Sequence, residues 1–509
     1  MEYNFKTEPM AHQLAAWRES RDREFFALFM EMGTGKTKVL IDTASWLYDN
    51  GKITGVLVVC PKSIVRNWTD DEIPKHMAEH VNYRVAYWDA ALGKAQRERV
   101  EKFLGEVTDD LRIFVVNVEA LTTADGLRVV KSFLLGSKAL FAIDESTIIK
   151  SPRARRTKEV LRLAPLAKYR RILTGNPYPN SPLDVYSQCQ FLSPHCLGFS
   201  SFVAFRSRFA DTVPMKLHAN NRKYVIQRVT GYKDLEELRK LVAPFSFVVR
   251  SDDCLDIPDK VYLPPRRFDM TPKQKKAYDE MKKYAMTEIG QQLEMSFVAE
   301  PGQEASGVSP DRTFAVAEIV LTKLLRMQQI SCGFVTSETG DLIDLCGDEN
   351  PRIETMLEIC EERDGKVIIW APFTAAIDQI IAALSKKFGP ERVVRFDGKV
   401  TSGDELQEAK RLFQDPDSEV EFFVTSQAKG SRGITLTQAR LMLYYSNTYD
   451  ADHREQSEKR AHRIGLEHVV NYLDIRANGS NDDKVAEVLS GKKSVADMLR
   501  DGSWKQLFE

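Results

Sequence analysis

The stretch MEMGTGKTK, residues 30 to 38, lies between an apolar run, EFFALFM (24 to 30), and a segment with apolar residues at helical spacing, KTKVLIDTASWLY (36 to 48). A glycine-rich turn joining a strand to a helix leaves few folds open, because it turns backbone N–H groups and a helix N-terminus toward an anion. Lys36 is placed to reach the β- and γ-phosphates of a nucleotide, and Thr37 to help hold Mg²⁺. The first glycine of the usual eight-residue phosphate loop is Met30 here, so GTGKT is the strict half of the pattern.

The rest of the chain supplies a fold for that turn. Strand-like runs VLVVC (56 to 60), RIFVVN (112 to 117), LFAID (140 to 144) and RILTG (171 to 175) alternate with helical ones through the first 190 residues, which predicts a parallel α/β sheet. From about 195 to 345 the pattern is mostly helical. Alternation resumes with KVIIWAP (366 to 372), RVVRFDG (392 to 398), VEFFVTS (420 to 426), ARLMLYYS (439 to 446) and VVNYLDI (469 to 475), which predicts a second α/β domain. The expected layout is a nucleotide-binding domain over 1–195, a helical protrusion over 196–250, a linker over 251–265, a second helical protrusion over 266–350, a second α/β domain over 351–480 and a helical brace over 481–509. A chain of 509 residues exceeds what one hydrophobic core supports.

No apolar run approaches the ~18 residues of a membrane span. The first residues, MEYNFKTEPM, lack a basic region followed by an apolar core, and the seven cysteines include no CxxC pair, so a reducing cytoplasm is the expected compartment. The net charge of −1 does not advertise a polyanion partner, but KSPRARRTKEVLRLAPLAKYRR (150 to 171) sets nine Lys and Arg against one Glu.

Nucleotide hydrolysis needs carboxylates as well as a phosphate loop. LFAIDEST ends a buried run with Asp144, which can hold Mg²⁺ through water, and Glu145, which can orient and deprotonate an attacking water. Positive charge on the far side of the γ-phosphate is available from QSEKRAHRIG (456 to 465), where Arg460 and Arg463 share a face if the segment is helical.

These blocks, in order with HQLAAW (12 to 17), VLVVCPKSIVRNW (56 to 68), LTGNPYPNSPLDVYSQCQFLSP (173 to 194), TSQAKGSRGITLTQA (425 to 439) and the segment 241 to 281, resemble the motif set of the Swi/Snf-type ATPases of helicase superfamily 2 across nearly the whole chain. The resemblance implies two RecA-like domains facing a cleft, with ATP and Mg²⁺ as cofactors. Gln13 is similar to the adenine-reading glutamine, and Gly33, Thr34, Gly35, Lys36, Thr37, Gly433 and Gln456 match ATP-binding positions. Thr37 and Asp144 match the Mg²⁺ positions; Lys36, Asp144, Glu145, Arg460 and Arg463 match the catalytic ones. Lys62, Arg66, Asn117, Thr174, Thr425 and Ser426 fall where the family contacts a nucleic-acid backbone, which implies little sequence specificity.

The implied activity is ATP-dependent translocation on double-stranded DNA by a monomer that remodels protein–DNA complexes or branched DNA, in a bacterial or virus-infected cell. A strand-separating helicase for DNA or RNA would share every ATPase residue, and a nucleic-acid-binding scaffold with a degenerate motor is the third reading. Departures from the family pattern bear on coupling. Thr147 stands where the family commonly has His, and Asn176 follows Thr174 and Gly175, so a Thr147–Asn176 contact is the expected replacement. In KGSRGITL (429 to 436), Thr435 stands in the asparagine place.

Overall fold

Runs such as GVLVVC and ALFAID carry no polar alternation, and strands of that kind are stable when both faces are covered, as in a parallel sheet between two helical layers. The computed structural model describes residues 3–88, 93–179, 181–219, 222–254, 257–297, 310–337, 340–347, 349–400, 402–430, 434–463 and 465–491. It divides into two units, Met1–Lys216 with Tyr224–Asp256 and Leu217–Lys223 with Ile257–Glu509.

Residues 25–249 contain β1 (Phe25–Met30), β2 (Gly55–Cys60), β3 (Tyr83–Trp88), β4 (Leu111–Asn117), β5 (Ala139–Asp144), β6 (Tyr169–Leu173), a two-stranded ribbon of β7 (Ala210–Ala219) and β8 (Arg222–Tyr232), and β9 (Ser246–Val249). Seven of these form one parallel sheet in the order β3-β4-β2-β5-β6-β1-β9. Successive side chains on a strand point to opposite faces. Phe26, Leu28 and Met30 therefore enter one core with Val39, Leu40, Ile41, Ala44 and Leu47 of α2 (Lys36–Asp49), while Ala27 and Phe29 enter the other with the helix Val185–Leu192. Leu173 of β6 is level with both Leu28 of β1 and Asp144 of β5, so the C-terminal ends of these three strands finish side by side. Ligands of open parallel sheets bind at that edge.

The second unit contains β10 (Lys260–Tyr262), β11 (Arg266–Phe268), the antiparallel pair β12 (Phe334–Thr336) and β13 (Leu342–Asp344), then β14 (Lys366–Trp370), β15 (Val393–Phe396), β16 (Phe422–Thr425), β17 (Ala439–Tyr444) and β18 (Val470–Ala477). Its parallel sheet runs β10-β18-β17-β14-β16-β15, with β11 also pairing β18. The two-sheet α/β class is as expected. No helix among the described residues is long and apolar enough to cross a membrane.

The segments between the sheets differ from the helical reading. Residues 196–250 hold two helices, Phe202–Phe209 and Leu235–Val242, but also the ribbon β7–β8 and the edge strand β9 of the first sheet. The expected linker supplies β10, and the expected second protrusion begins with β11, before its helices Pro272–Phe297 and Pro310–Ser331 pack on each other. Strands of three or four residues leave too few positions for a period-two pattern to be recognised. Of the brace over 481–509, the helix Asp482–Gly491 is described and residues 492–509 lie outside the described residues.

The basic run 150–171 divides by burial. Arg153, Arg155, Arg156, Lys158, Arg162 and Lys168 are exposed, whereas Arg171 is fully buried in the sheet. Its guanidinium donates to the carbonyls of Ser20 (2.7 Å), Arg23 (2.7 Å) and Glu24 (3.3 Å), closing the C-terminal end of α1 (Ala11–Ser20) and the turn into β1. Burial pulls its pKa down to about 9. Arg171→Met removes these buried charge-assisted bonds and leaves the Arg23 carbonyl without this donor, so urea unfolding is expected to show a stability loss of about 3 kcal/mol; an unchanged midpoint would show that the guanidinium is dispensable.

Candidate nucleotide-binding site

The phosphate loop is set by its own backbone. After β1, Thr34 donates both its N–H and its hydroxyl to the Glu31 carbonyl (3.2 and 2.7 Å), closing the turn, and Gly33 and Gly35 adopt φ of 86° and 90°. L-residues rarely enter that region, which explains both glycines. A Cβ on Gly35 would also lie 2.2 Å from Gln13 Nε2. Met30 is the last, wholly buried residue of β1, so a missing glycine there takes nothing from the anion-facing part of the loop. The first turn of α2 carries Lys36, mostly buried, and Thr37, half-buried, with its N–H groups directed at the loop end.

Helix α1 clamps the loop. His12 Nε2 and Gln13 Nε2 both donate to the Thr34 carbonyl, at 2.8 and 3.1 Å, and Gln13 Oε1 accepts from the Met10 N–H at 3.1 Å. Gln13 is 4% exposed, so in this state it holds the loop, with one amide N–H and one lone pair left over. On the other side Glu31 accepts from the N–H and hydroxyl of Ser251, both at 2.8 Å, and donates its N–H to Val249 of β9. Sequence reading missed His12 as a clamp and the Glu31–Ser251 contact; the latter spans 220 residues and carries no local signal.

Asp144 ends β5 at 6% exposure. One carboxylate oxygen accepts from the Glu145 N–H (3.0 Å) and the other from the Trp68 indole (2.8 Å). Burial, then the charge of Glu145, raises the Asp144 pKa to about 6, while Lys36, Trp68 and the Glu145 N–H act in the opposite direction. Glu145 itself is left-handed, φ 51°, an uncommon conformation for a non-glycine residue that turns the chain sharply at the strand end. These side chains and the loop N–H groups fit a Mg²⁺–nucleotide phosphate chain: hard oxygen donors at Thr37 and Asp144, and a cation and N–H groups for the phosphates.

The turn after β6 abuts the loop, since a Cβ on Gly175 would lie 3.1 Å from Met32 N. The anticipated Thr147–Asn176 contact is not what joins these motifs. Asn176 is used within its own turn, with Thr174 Oγ1 and with the Tyr178 N–H. Instead Ser146, fully buried, donates to Gln188 Oε1 at 2.6 Å, and Gln188 Nε2 donates to the carbonyls of Pro177 and Asp184.

Of the six residues proposed for a nucleic-acid backbone, three are not presented to solvent. Asn117 (2% exposed) donates to Glu119, Thr174 (1%) closes the turn just described, and Thr425 (0%) donates to the Phe396 carbonyl at 2.6 Å. Thr174 bonds the backbone of its own turn, whereas Asn117 meets a carboxylate and Thr425 the end of the neighbouring strand β15. Lys62 is exposed, and Arg66 and Ser426 are half-buried.

In the second unit, helix Ala451–Glu458 ends before the arginines, so Arg460 and Arg463 do not share a helical face. They converge in another way. Arg460 Nε donates to the Gln456 carbonyl (3.0 Å) and its Nη1 to the Ile434 carbonyl (3.1 Å), while Arg463 donates to that same carbonyl (3.0 Å) and to Thr435 Oγ1 (2.8 Å). Arg460 is 1% exposed and structural in this state; Arg463 is half-buried. Thr435, in the asparagine place, thus serves Arg463. Gly433 lies outside the described residues. Arg454, which sequence reading did not single out, orients this helix through Glu458 (2.9 Å), Asn447 (2.7 Å) and Asp474 (2.7 Å).

A phosphate loop, a strand-end carboxylate pair and two parallel sheets define a nucleotide-binding protein of the phosphate-loop class. The SNF2-related domain matches residues 12–306 and the helicase conserved C-terminal domain residues 351–465, and the chain belongs to the SNF2-related family. It is 25% identical to the TATA-binding protein-associated factor BTAF1 of Arabidopsis thaliana (87% of this chain, 22% of the relative) and 24% identical to the DNA annealing helicase and endonuclease ZRANB3 of Mus musculus (94% and 39%). The Sulfolobus solfataricus SWI2/SNF2 ATPase core in complex with dsDNA is similar at 22% identity and a TM-score of 0.41, over 100% of this chain and 96% of that one. The chain spans about a fifth to two fifths of the length of these two curated relatives.

The raised pKa of Asp144 sets a pH dependence. Below about pH 6 the carboxyl is protonated and cannot hold a cation, so Mg²⁺-dependent binding of a fluorescent nucleotide is expected to weaken as pH falls through that value. Because cation and proton compete, the midpoint should move down as Mg²⁺ is raised; a midpoint independent of Mg²⁺ would place the titrating group elsewhere.

Proposed function

We propose that the chain is a DNA-stimulated ATPase that hydrolyses ATP to ADP and phosphate and uses the cycle to move along double-stranded DNA, remodelling protein–DNA complexes or branched DNA. The observation that carries this reading is the end of β5, where Asp144 sits within electrostatic reach of Lys36 and Glu145 follows in a left-handed turn. Lys36 and the loop N–H groups bind and orient the β- and γ-phosphates, which matters because positioning and charge neutralisation supply most of the catalysis in phosphoryl transfer. Mg²⁺, held by Thr37 and Asp144, would neutralise charge on the same oxygens. Glu145 orients the attacking water and accepts its proton. Arg463, half-buried on Thr435 and Ile434, is the proposed cation for the transition-state charge, with Arg460 holding the segment that carries it.

Membership of the SNF2-related family supports DNA as the partner, as do the exposed cations Arg153, Arg155, Arg156, Lys158 and Arg162 and, in another segment, Lys62. Cationic side chains that meet phosphates position a protein without reading bases, so sequence preference is expected to be weak. Translocation without strand separation is preferred to unwinding.

The test is steady-state ATP hydrolysis with duplex, single-stranded and forked DNA and with RNA. Duplex or forked DNA is expected to stimulate the wild type, Lys36→Ala to lower the stimulated rate by roughly 10²-fold or more, and strand displacement to be absent. Hydrolysis indifferent to DNA or to Lys36 would overturn the motor reading, and robust unwinding would replace translocase with helicase.

A further inference from the structure

Trp68 lies at an unusual place in the chain. A 3₁₀ turn, Lys62–Ile64, is followed by a π-helical turn, Asn67–Glu72, and then by the short α-helix Ile73–His76. Single π turns are rare and recur at functional sites, because they insert one residue into the helical repeat to aim a side chain. The side chain aimed here is Trp68, 2% exposed, whose indole N–H donates to Asp144 Oδ2 at 2.8 Å across 76 residues of sequence. The same turn has a solvent side. Lys62 is exposed, and Arg66 is half-buried, with its guanidinium near Asp70 (2.8 Å) and the Tyr87 hydroxyl (3.2 Å). A single residue, Asn67, therefore separates a partly exposed cation from a group that holds a carboxylate of the nucleotide site.

We propose that Trp68 is a positioning residue that transmits contact between a nucleic-acid phosphate and the Lys62–Arg66 surface to Asp144. This rests on the reading of the chain as a DNA-stimulated ATPase and deepens it by naming a route. A phosphate that competes with Asp70 for Arg66 acts on the π turn. Relaxation of that turn to an α-helix shifts the helical register by one residue, which rotates neighbouring side chains by about 100°. The geometry of the turn thus decides where the indole N–H points. With one Asp144 oxygen already committed to the Glu145 N–H, the Trp68 bond fixes the second and with it the orientation of the carboxylate toward the Mg²⁺ position. Hydrogen-bond partners of metal-holding groups typically govern affinity or activity by 10- to 100-fold, in rough terms.

The test compares wild type with Trp68→Phe, which keeps an aromatic ring and loses the N–H. Duplex affinity, measured by fluorescence anisotropy without ATP, is expected to stay within about two-fold, while duplex stimulation of hydrolysis falls roughly ten-fold or more and the KM for Mg²⁺ rises. A variant stimulated like the wild type, or one that loses stimulation only in proportion to lost duplex affinity, overturns the proposal. Wild type without duplex stimulation would instead sink the parent reading, so the two failures are distinct. Should Trp68→Phe not fold, hydrogen exchange on the wild type decides. Adding duplex is expected to change exchange in both 62–72 and 144–149, and a 144–149 segment unchanged by duplex overturns the link.

Discussion

An ionisable carboxyl at the end of a strand covered on both faces is costly to charge, and the first unit is organised around that cost at Asp144. Burial raises the pKa of the group, and the adjacent Glu145 raises it further. Lys36, the Trp68 indole and the Glu145 N–H offset the penalty, and each comes from a different part of the chain: the start of α2, the π turn after β2, and the strand's own continuation. The parallel register makes this possible, because it ends β1, β6 and β5 side by side. A site poised in this way favours a bound divalent cation, which supplies the compensating charge that the fold leaves incomplete.

Around that centre the loop is held by contacts that have nothing to do with phosphate chemistry. His12 and Gln13 fasten the Thr34 carbonyl, Ser251 fastens Glu31, and Gly175 comes close enough to Met32 that a side chain there would push the loop. Movement of β6 or of the segment after β9 therefore reaches the phosphate loop through van der Waals contact and short hydrogen bonds. The Ser146–Gln188 bond ties the carboxylate turn to the Pro177–Asp184 segment in the same manner. Buried polar links of this kind are costly to break because each partner is shielded from water, so they transmit displacement rather than absorb it.

What the sequence disclosed follows from the range of the interactions involved. Core strands such as GVLVVC and ALFAID are self-announcing, since their apolar runs are local, and GTGKT and the Asp144–Glu145 pair carry their chemistry in adjacent residues. Strand β9, with four residues at a sheet edge, and β3, with exposed Arg84 as its second residue, have no such pattern and were legible only once pairing partners existed. Side-chain roles were less legible still. Arg171 reads as one more cation in a basic run, yet its guanidinium is buried on four carbonyls, and Arg460 reads as a catalytic cation and is buried with bonds to the Gln456 and Ile434 carbonyls. Asn117, Thr174 and Thr425 have the composition of backbone-contacting residues and are buried, bonded to Glu119, to the Asn176 backbone and to the Phe396 carbonyl. Asn117 apart, the deciding partner is a backbone group or a distant residue, which residue type and spacing do not encode.

Hydrolysis at Lys36, Asp144 and Glu145 is proposed to drive movement along an intact duplex. Its most direct measurement is release of a third strand from a triplex-bearing duplex, followed with ATP for the wild type and for Glu145→Gln. The wild type is expected to release the strand only with ATP, the variant not at all, and the duplex to stay paired throughout. Release that proceeds equally without ATP or with Glu145→Gln, or release accompanied by separation of the duplex strands, would contradict it.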